Sequence, residues 1–115
     1  MIRTAAAVLL ALGAARPAHA ADAPPSPYYD LHYAYEVAAY CGLAAADVER
    51  AFRAAREMLA ARSGLDADAL KRLRLRAIVA AAREYQNRGL GGYRPWCRRE
   101  GQAARRRIID LAPDG

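Results

Sequence analysis

The 115-residue sequence contains few of the side chains that carry catalysis. It has two serines, one threonine and two histidines, and only Ser26, Ser63 and His32 lie beyond residue 20. Because both serines stand next to predicted helix ends, no Ser-His-Asp set can be assembled without using helix-capping residues. Four carboxylates can converge in a helical fold, but their spacing shows no acid-base pair; they are Asp30, Glu36, Glu84 and Glu100. The sequence predicts no catalytic residues and a protein that is not an enzyme.

Motifs for metals and cofactors are also missing. The two cysteines, Cys41 and Cys97, show neither Cys-x-x-Cys spacing nor a haem-attachment sequence. The glycine-rich stretch 89–92 lacks the preceding strand and the Lys-Ser/Thr pair of phosphate-binding loops. We therefore expect no metal site and no cofactor.

Long apolar runs are absent, and the longest uncharged segment lies near the N-terminus. Ala5–Ala15 is an uncharged run of eleven residues that follows Arg3 and precedes an Arg-Pro pair and a small-x-small sequence ending at Ala20. Spanning a bilayer takes about 20 residues. The pattern instead predicts a signal peptide over 1–20, cleaved between Ala20 and Ala21, and a periplasmic or secreted protein with no transmembrane segment. An ordinary amphipathic helix is the alternative.

Export gives the two cysteines a role. An oxidising compartment allows Cys41 and Cys97 to pair, and closing a loop of about 55 residues stabilises a fold by roughly 4 kcal/mol in the loop-entropy model. A catalytic thiol and a metal ligand are the alternatives, although only His32 is available as a histidine partner after cleavage. We predict a disulfide.

The sequence is rich in alanine and arginine. It has 30 alanines, and 17 of its 18 basic residues are arginine, Lys71 being the exception. Such a composition predicts a thin core, and the arginine excess is typical of GC-rich coding as much as of a basic surface.

Apolar residues at helical spacing predict four helices after a proline-rich linker at 21–27, and no strand-like alternation appears. Helix 1 is predicted to follow the N-cap Ser26 and to end before Gly42, and helix 2 to span 45–62. Helix 3 is predicted to follow the N-cap Asp66 and to stop at Gly89, and helix 4 to start at Pro95. The connections have about three to six residues, which favours antiparallel neighbours. The expected fold is all-α, a single helical domain over 28–112. It is a small antiparallel up-down four-helix bundle stapled by one disulfide, with both cysteines at one end.

A cluster of aromatic, amide and arginine residues maps to that disulfide end. Such side chains often anchor interfaces, and arginines near a helix N-terminus favour anions. The predicted ligand- or partner-binding residues are Tyr40, Asn87, Arg88, Tyr93, Arg94, Trp96, Arg98 and Arg99. The alternative is that the aromatic rings pack around the disulfide and the arginines pair with Glu84 or Glu100.

The charge is divided between the two halves of the chain. Residues 21–70 carry four arginines against eight acids, whereas residues 71–115 carry twelve basic residues against four acids. Export argues against a nucleic-acid partner for the basic half, and the opposite halves can also neutralise each other inside one bundle. We expect the partner to be an envelope protein or an anionic ligand.

The predicted function is that of a small exported binding or accessory protein whose contact surface lies at the disulfide end. In architecture alone, the chain is similar to periplasmic acid-stress chaperones and to small immunity proteins that block cell-wall-degrading toxins. This likeness implies a chaperone or toxin-neutralising role as an alternative, and it carries no functional positions over. A minor enzyme is the weaker alternative.

Overall fold

The computed structural model describes residues 26–89 and 94–113, and the helices of this part of the chain are joined by short connections. It contains five α-helices, α1 Pro27–Tyr40, α2 Ala46–Ser63, α3 Ala67–Glu84, α4 Arg94–Trp96 and α5 Gln102–Leu111. Two π-helical segments interrupt them, π1 Tyr85–Gly89 after α3 and π2 Cys97–Gly101 between α4 and α5. No strand occurs in these residues, and α4, π2 and α5 together form the predicted fourth helix. The all-α four-helix prediction is confirmed, whereas the predicted signal peptide and linker residues 21–25 lie outside the described residues.

Local sequence sets the helix ends. Ser26 Oγ accepts a hydrogen bond from the Tyr29 amide at 3.2 Å, and Asp66 Oδ1 accepts one from the Ala69 amide at 2.8 Å. These bonds satisfy amides that have no partner inside the helix. Gly42 (φ 72°) adopts the left-handed conformation that ends a helix at low steric cost, as Gly64 does after α2. The predicted caps Ser26, Gly42 and Asp66 are confirmed. The last residues predicted for helix 3 form π1 instead, and α4 begins at Arg94, one residue before the predicted start at Pro95.

The first helix lies at the centre of the bundle. One side of α1 packs against α3, and another packs against α2 and α5, which also contact each other. By contrast, α3 makes no extensive contact with α2 or α5 in the described part of the chain. The short connections predict packing between successive helices, but α3 packs on α1 instead. A groove is therefore left between α3 and α5, with α1 as its floor.

The core is small and rich in alanine, as the composition predicts. The side chain of Trp96 is 1% exposed, and it is the largest side chain in the interior. Around it lie small and medium residues, among them Leu31, Ala34, Val37, Ala38, Val48, Ala55, Ala81, Ala104 and Ile108. Both fully buried residues of α3 are alanines, Ala77 and Ala81. Small side chains at such a contact allow two helices to approach closely.

The predicted disulfide is present. Cys41 and Cys97 are bonded with their Cα atoms 5.4 Å apart, which joins the end of α1 to the start of π2. The chain leaves α1 through a tight turn, in which the Gly42 amide donates to the Ala39 carbonyl at 3.0 Å and the Leu43 amide to the Ala38 carbonyl at 2.8 Å. This pair of bonds is a Schellman motif.

Gly101 closes the contact around the disulfide. A Cβ atom built on Gly101 would lie 2.9 Å from both Cβ and Sγ of Cys41 and 3.2 Å from Cδ1 of Leu43. Only glycine therefore lets the C-terminal helical segment approach the disulfide at this distance.

Candidate binding groove beside the disulfide

A concave site lies between α3 and α5, above the central helix α1. It has a volume of about 270 Å³. Its floor is apolar and includes Ala34, Val37 and the buried ring of Trp96, and its walls carry Tyr33 and several charged side chains. An apolar floor with a few polar groups on the rim is typical of sites that bind other molecules.

Three carboxylates line this groove, and each is paired with an arginine. Their ion pairs are Arg107 Nη2 to Asp30 Oδ2 at 3.0 Å, Arg88 Nη1 to Glu84 Oε1 at 2.6 Å and Arg99 Nε to Glu100 Oε1 at 3.2 Å. The arginine partners are all more than half exposed. Exposed pairs of this kind contribute at most about 1 kcal/mol. An incoming charged group can therefore exchange with them at low cost.

The phenol of Tyr33 lines the same groove as Glu84 and Glu100. Burial raises the pKa of Tyr33 above its usual value, and the negative charges of Glu84 and Glu100 raise it further. Arg88 opposes that rise in the pKa. The phenol is therefore held protonated, as a hydrogen-bond donor and acceptor on the wall of the groove.

Three of the four carboxylates that the sequence allows to converge thus line the same groove. Asp30 reaches the groove from α1, Glu84 from the end of α3 and Glu100 from π2. Glu36 does not line it, and burial raises the pKa of that carboxyl. Sequence spacing cannot reveal this convergence, because it depends on how α3 and π2 are placed around α1.

The predicted cluster at the disulfide end is partly an internal stack. The rings of Tyr40 and Tyr85 are parallel with centroids 4.4 Å apart, and Tyr85 lies 6.2 Å from Trp96. The stack joins α1, π1 and α4. Tyr40 is 36% exposed, so it remains accessible at the edge, whereas Trp96 contributes from the floor of the groove.

The polar members of the predicted cluster have different positions. Asn87 and Arg98 are exposed, and Arg88 and Arg99 take part in the groove ion pairs described above. Tyr93 and the side chain of Arg94 lie outside the described part of the chain. The structure therefore brings Arg88, Trp96 and Arg99 together around one groove and leaves Asn87 and Arg98 on the outer surface.

The single histidine of residues 26–89 and 94–113 is a core residue. His32 is 4% exposed and packs between Tyr28, 4.6 Å away, and Phe52, 5.3 Å away, measured between ring centroids. Burial lowers the pKa of His32 to about 4, and the charges of Arg56 and Arg74 add to this effect. The ring is neutral near pH 7, and its Nε2 has no hydrogen-bond partner in the described part of the chain. His32 does not line the groove.

Within the described ranges, no group of three histidine, cysteine or acidic side chains is placed to hold a metal ion. Nor does any helix in those ranges combine the length and hydropathy needed to cross a bilayer.

Sequence reasoning missed Tyr33, Arg107 and Gly101. Tyr33 and Arg107 belong to ordinary helical sequence, so no signal distinguishes them. Gly101 does carry one, because a glycine inside a helical pattern usually has a packing or functional reason. The π-helical segment π2 lines the groove through Glu100, and such segments are frequent at functional sites.

No protein-family model, curated protein or solved structure matches this sequence.

Proposed function

We propose that this chain is a small exported binding or accessory protein of the cell envelope, and that it contacts its partner through the groove beside the disulfide. The observation that carries this proposal is the separation of α3 from α5. It leaves an open, partly apolar groove of about 270 Å³ in a domain whose core is otherwise small. A gap of this kind reduces the apolar surface that the domain buries, and a small domain buries a smaller fraction of its surface than a large one.

The chemistry of the groove suits a segment of an envelope protein. The apolar floor at Val37 and Trp96 can accept an aliphatic or aromatic side chain. The paired charges on the rim can exchange partners with charged groups of either sign, and Arg88 and Arg99 can receive an acidic group. An anionic small molecule is the other ligand class that this rim favours.

Export is supported by two independent features. The sequence over 1–20 has the organisation of a signal peptide. The disulfide between Cys41 and Cys97 belongs to the kind that persists in oxidising compartments. The test is the intact mass of the protein recovered from the periplasm, which should correspond to a chain that begins at Ala21 with both cysteines oxidised. A chain that keeps residues 1–20 inside the cell would contradict export.

Site-specific photocrosslinking in the native host tests the groove. Ala103 is exposed and lines the groove, and Ala61 is an equally small, exposed residue of α2 that does not. A crosslinker at position 103 should yield a discrete, saturable adduct, and the same group at position 61 should not. Equal labelling from both positions, or none from position 103, would remove the groove from the proposal.

The number of adducts separates the roles within this class. An immunity-type or accessory protein should give one dominant partner, whereas an envelope chaperone should give many. The groove variants Val37→Gln and Ala103→Arg should reduce the adducts formed from a second crosslinker at Tyr33. The exposed variant Ala61→Arg serves as the matched control.

A further inference from the structure

The outward side of α3 carries an apolar and basic surface that the groove does not use. Leu75 and Val79 are four residues apart, so they lie on the same side of the helix, and they are 45% and 50% exposed. Leu65, just before α3, is 45% exposed. A shallow groove of about 520 Å³ runs along this surface between leucine and arginine side chains.

Cations flank these apolar side chains. We define the α3 outer face by its exposed apolar residues Leu75 and Val79 and its exposed basic residues Lys71, Arg72, Arg76 and Arg83. Helical geometry places this face opposite Ala77 and Ala81, the residues of α3 that are buried against the rest of the bundle. One exposed acid, Asp68, lies near it in the first turn.

The charge of this face is not neutralised within the described part of the chain. The ion pairs there that join separate helices use arginines of α5, Arg105 with Asp47 of α2 and Arg107 with Asp30 of α1. No basic residue of the α3 outer face takes part in an ion pair in residues 26–89 and 94–113. The halves of opposite charge therefore offset each other through α5, and α3 keeps its positive field.

We infer that the α3 outer face binds an anionic lipid surface. A helix face with exposed aliphatic side chains between basic ones matches the interface of a bilayer, where the cations meet headgroup phosphates and the aliphatic groups enter the headgroup boundary. A polyanion such as nucleic acid would use the arginines but offers no comparable place for Leu75 and Val79. A second copy of the same face would set like charges against each other.

Binding to lipid vesicles tests this inference. The wild type and every variant are the chain that begins at Ala21, so any contribution of residues 21–25 is common to every sample. The protein should cosediment with vesicles made of equal amounts of phosphatidylglycerol and phosphatidylcholine. It should not cosediment with vesicles made of phosphatidylcholine alone. The triple variant Arg72→Gln, Arg76→Gln, Arg83→Gln should bind the anionic vesicles about 100-fold more weakly.

The control removes the same charge from another surface. Arg50, Arg53 and Arg62 are exposed residues of α2, and their triple change to Gln should weaken vesicle binding by no more than a few-fold. The variant Leu75→Ser, Val79→Ser should bind about 10-fold more weakly, because it removes only the apolar contribution. All these positions are exposed, so circular dichroism should give the wild-type melting temperature within a few degrees.

Several results would overturn the inference. Failure of the wild-type protein to bind anionic vesicles at low salt would do so, as would equal losses from the α2 and α3 arginine variants. If the serine variant binds vesicles like wild type, the face is a polyanion surface rather than a lipid surface. If wild type forms a dimer in sedimentation that the serine variant does not, a second copy occupies the face.

Discussion

Replacing Gly101 by alanine sets local helix propensity against tertiary packing. Gly101 ends π2 and continues directly into α5, so helix propensity alone predicts that alanine stabilises this position by up to about 1 kcal/mol. The structure predicts the opposite sign. The new Cβ would lie 2.9 Å from Cβ and Sγ of Cys41, and those atoms are held by the bond to Cys97.

The magnitude follows from how little the surroundings can move. Leu43 Cδ1, 3.2 Å from the added carbon, is the end of a side chain and can rotate away, whereas the disulfide can only shift with the backbone of α1 or π2. Inserting a methyl group into a packed site costs about 1–3 kcal/mol. Because the disulfide cannot rotate away, the cost should fall in the upper part of this range, about 2–3 kcal/mol. After subtraction of a propensity gain of about 1 kcal/mol, we expect Gly101→Ala to lower the free energy of unfolding by about 1–2 kcal/mol.

Urea denaturation under non-reducing conditions, followed by circular dichroism, measures this difference. Two neighbours calibrate the propensity contribution, because Gln102 and Ala103 are exposed in α5. We expect Gln102→Ala to change stability by less than about 0.5 kcal/mol and Ala103→Gly to lower it by about 1 kcal/mol. If Gly101→Ala is as stable as wild type or more stable, the close approach to the disulfide is wrong.

Three further predictions concern the disulfide, a helix cap and stability in acid. The double variant Cys41→Ala, Cys97→Ala should lower the free energy of unfolding by about 4 kcal/mol, and an unchanged melting temperature would contradict the loop-entropy argument. Asp66→Ala should cost about 1 kcal/mol in urea denaturation by removing the side-chain cap of α3, and a neutral result would mean that water replaces the cap. Because the folded pKa of His32 is about 4, below the 6.5 of the unfolded chain, the unfolded state binds more protons, so stability should fall as pH drops from 6.5 to 4. The loss should reach up to about 3 kcal/mol and should be absent in a His32→Leu variant, so that the difference between the two proteins isolates it. An identical pH dependence in both proteins would place the acid sensitivity elsewhere.

Much of the fold is predictable because it depends on local chemistry. Ser26 and Asp66 cap helices with their own side chains, and Gly42 and Gly64 supply the left-handed residues that end them. Helical spacing also places Trp96, Ala104 and Ile108 on the inner side of the C-terminal segment, where the structure buries them. The disulfide was predictable because helix order and connection length put both cysteines at one end.

The candidate site is less predictable from the sequence than the fold is. The aromatic and arginine cluster near Cys97 is visible in the sequence, but the division of its members between groove and outer surface is not. Tyr33 and Arg107 give no local signal, because their role in the groove depends on neighbours that are distant along the chain. The sequence places Glu84 and Glu100 on separate helices, and only the packing of α3 and π2 around α1 brings them to the same groove.

The sequence by itself determined the helices and their capped ends, because caps and periodicity act over a few residues. It also determined the division of charge and the cysteine pairing, because only two cysteines are present. Only the tertiary structure decided which helices touch. Alanines on α3 let it pack closely on α1 and leave α5 apart from it, which opens the groove and exposes the α3 outer face. Packing of this kind depends on the shapes of several side chains together, and a linear pattern does not contain that information.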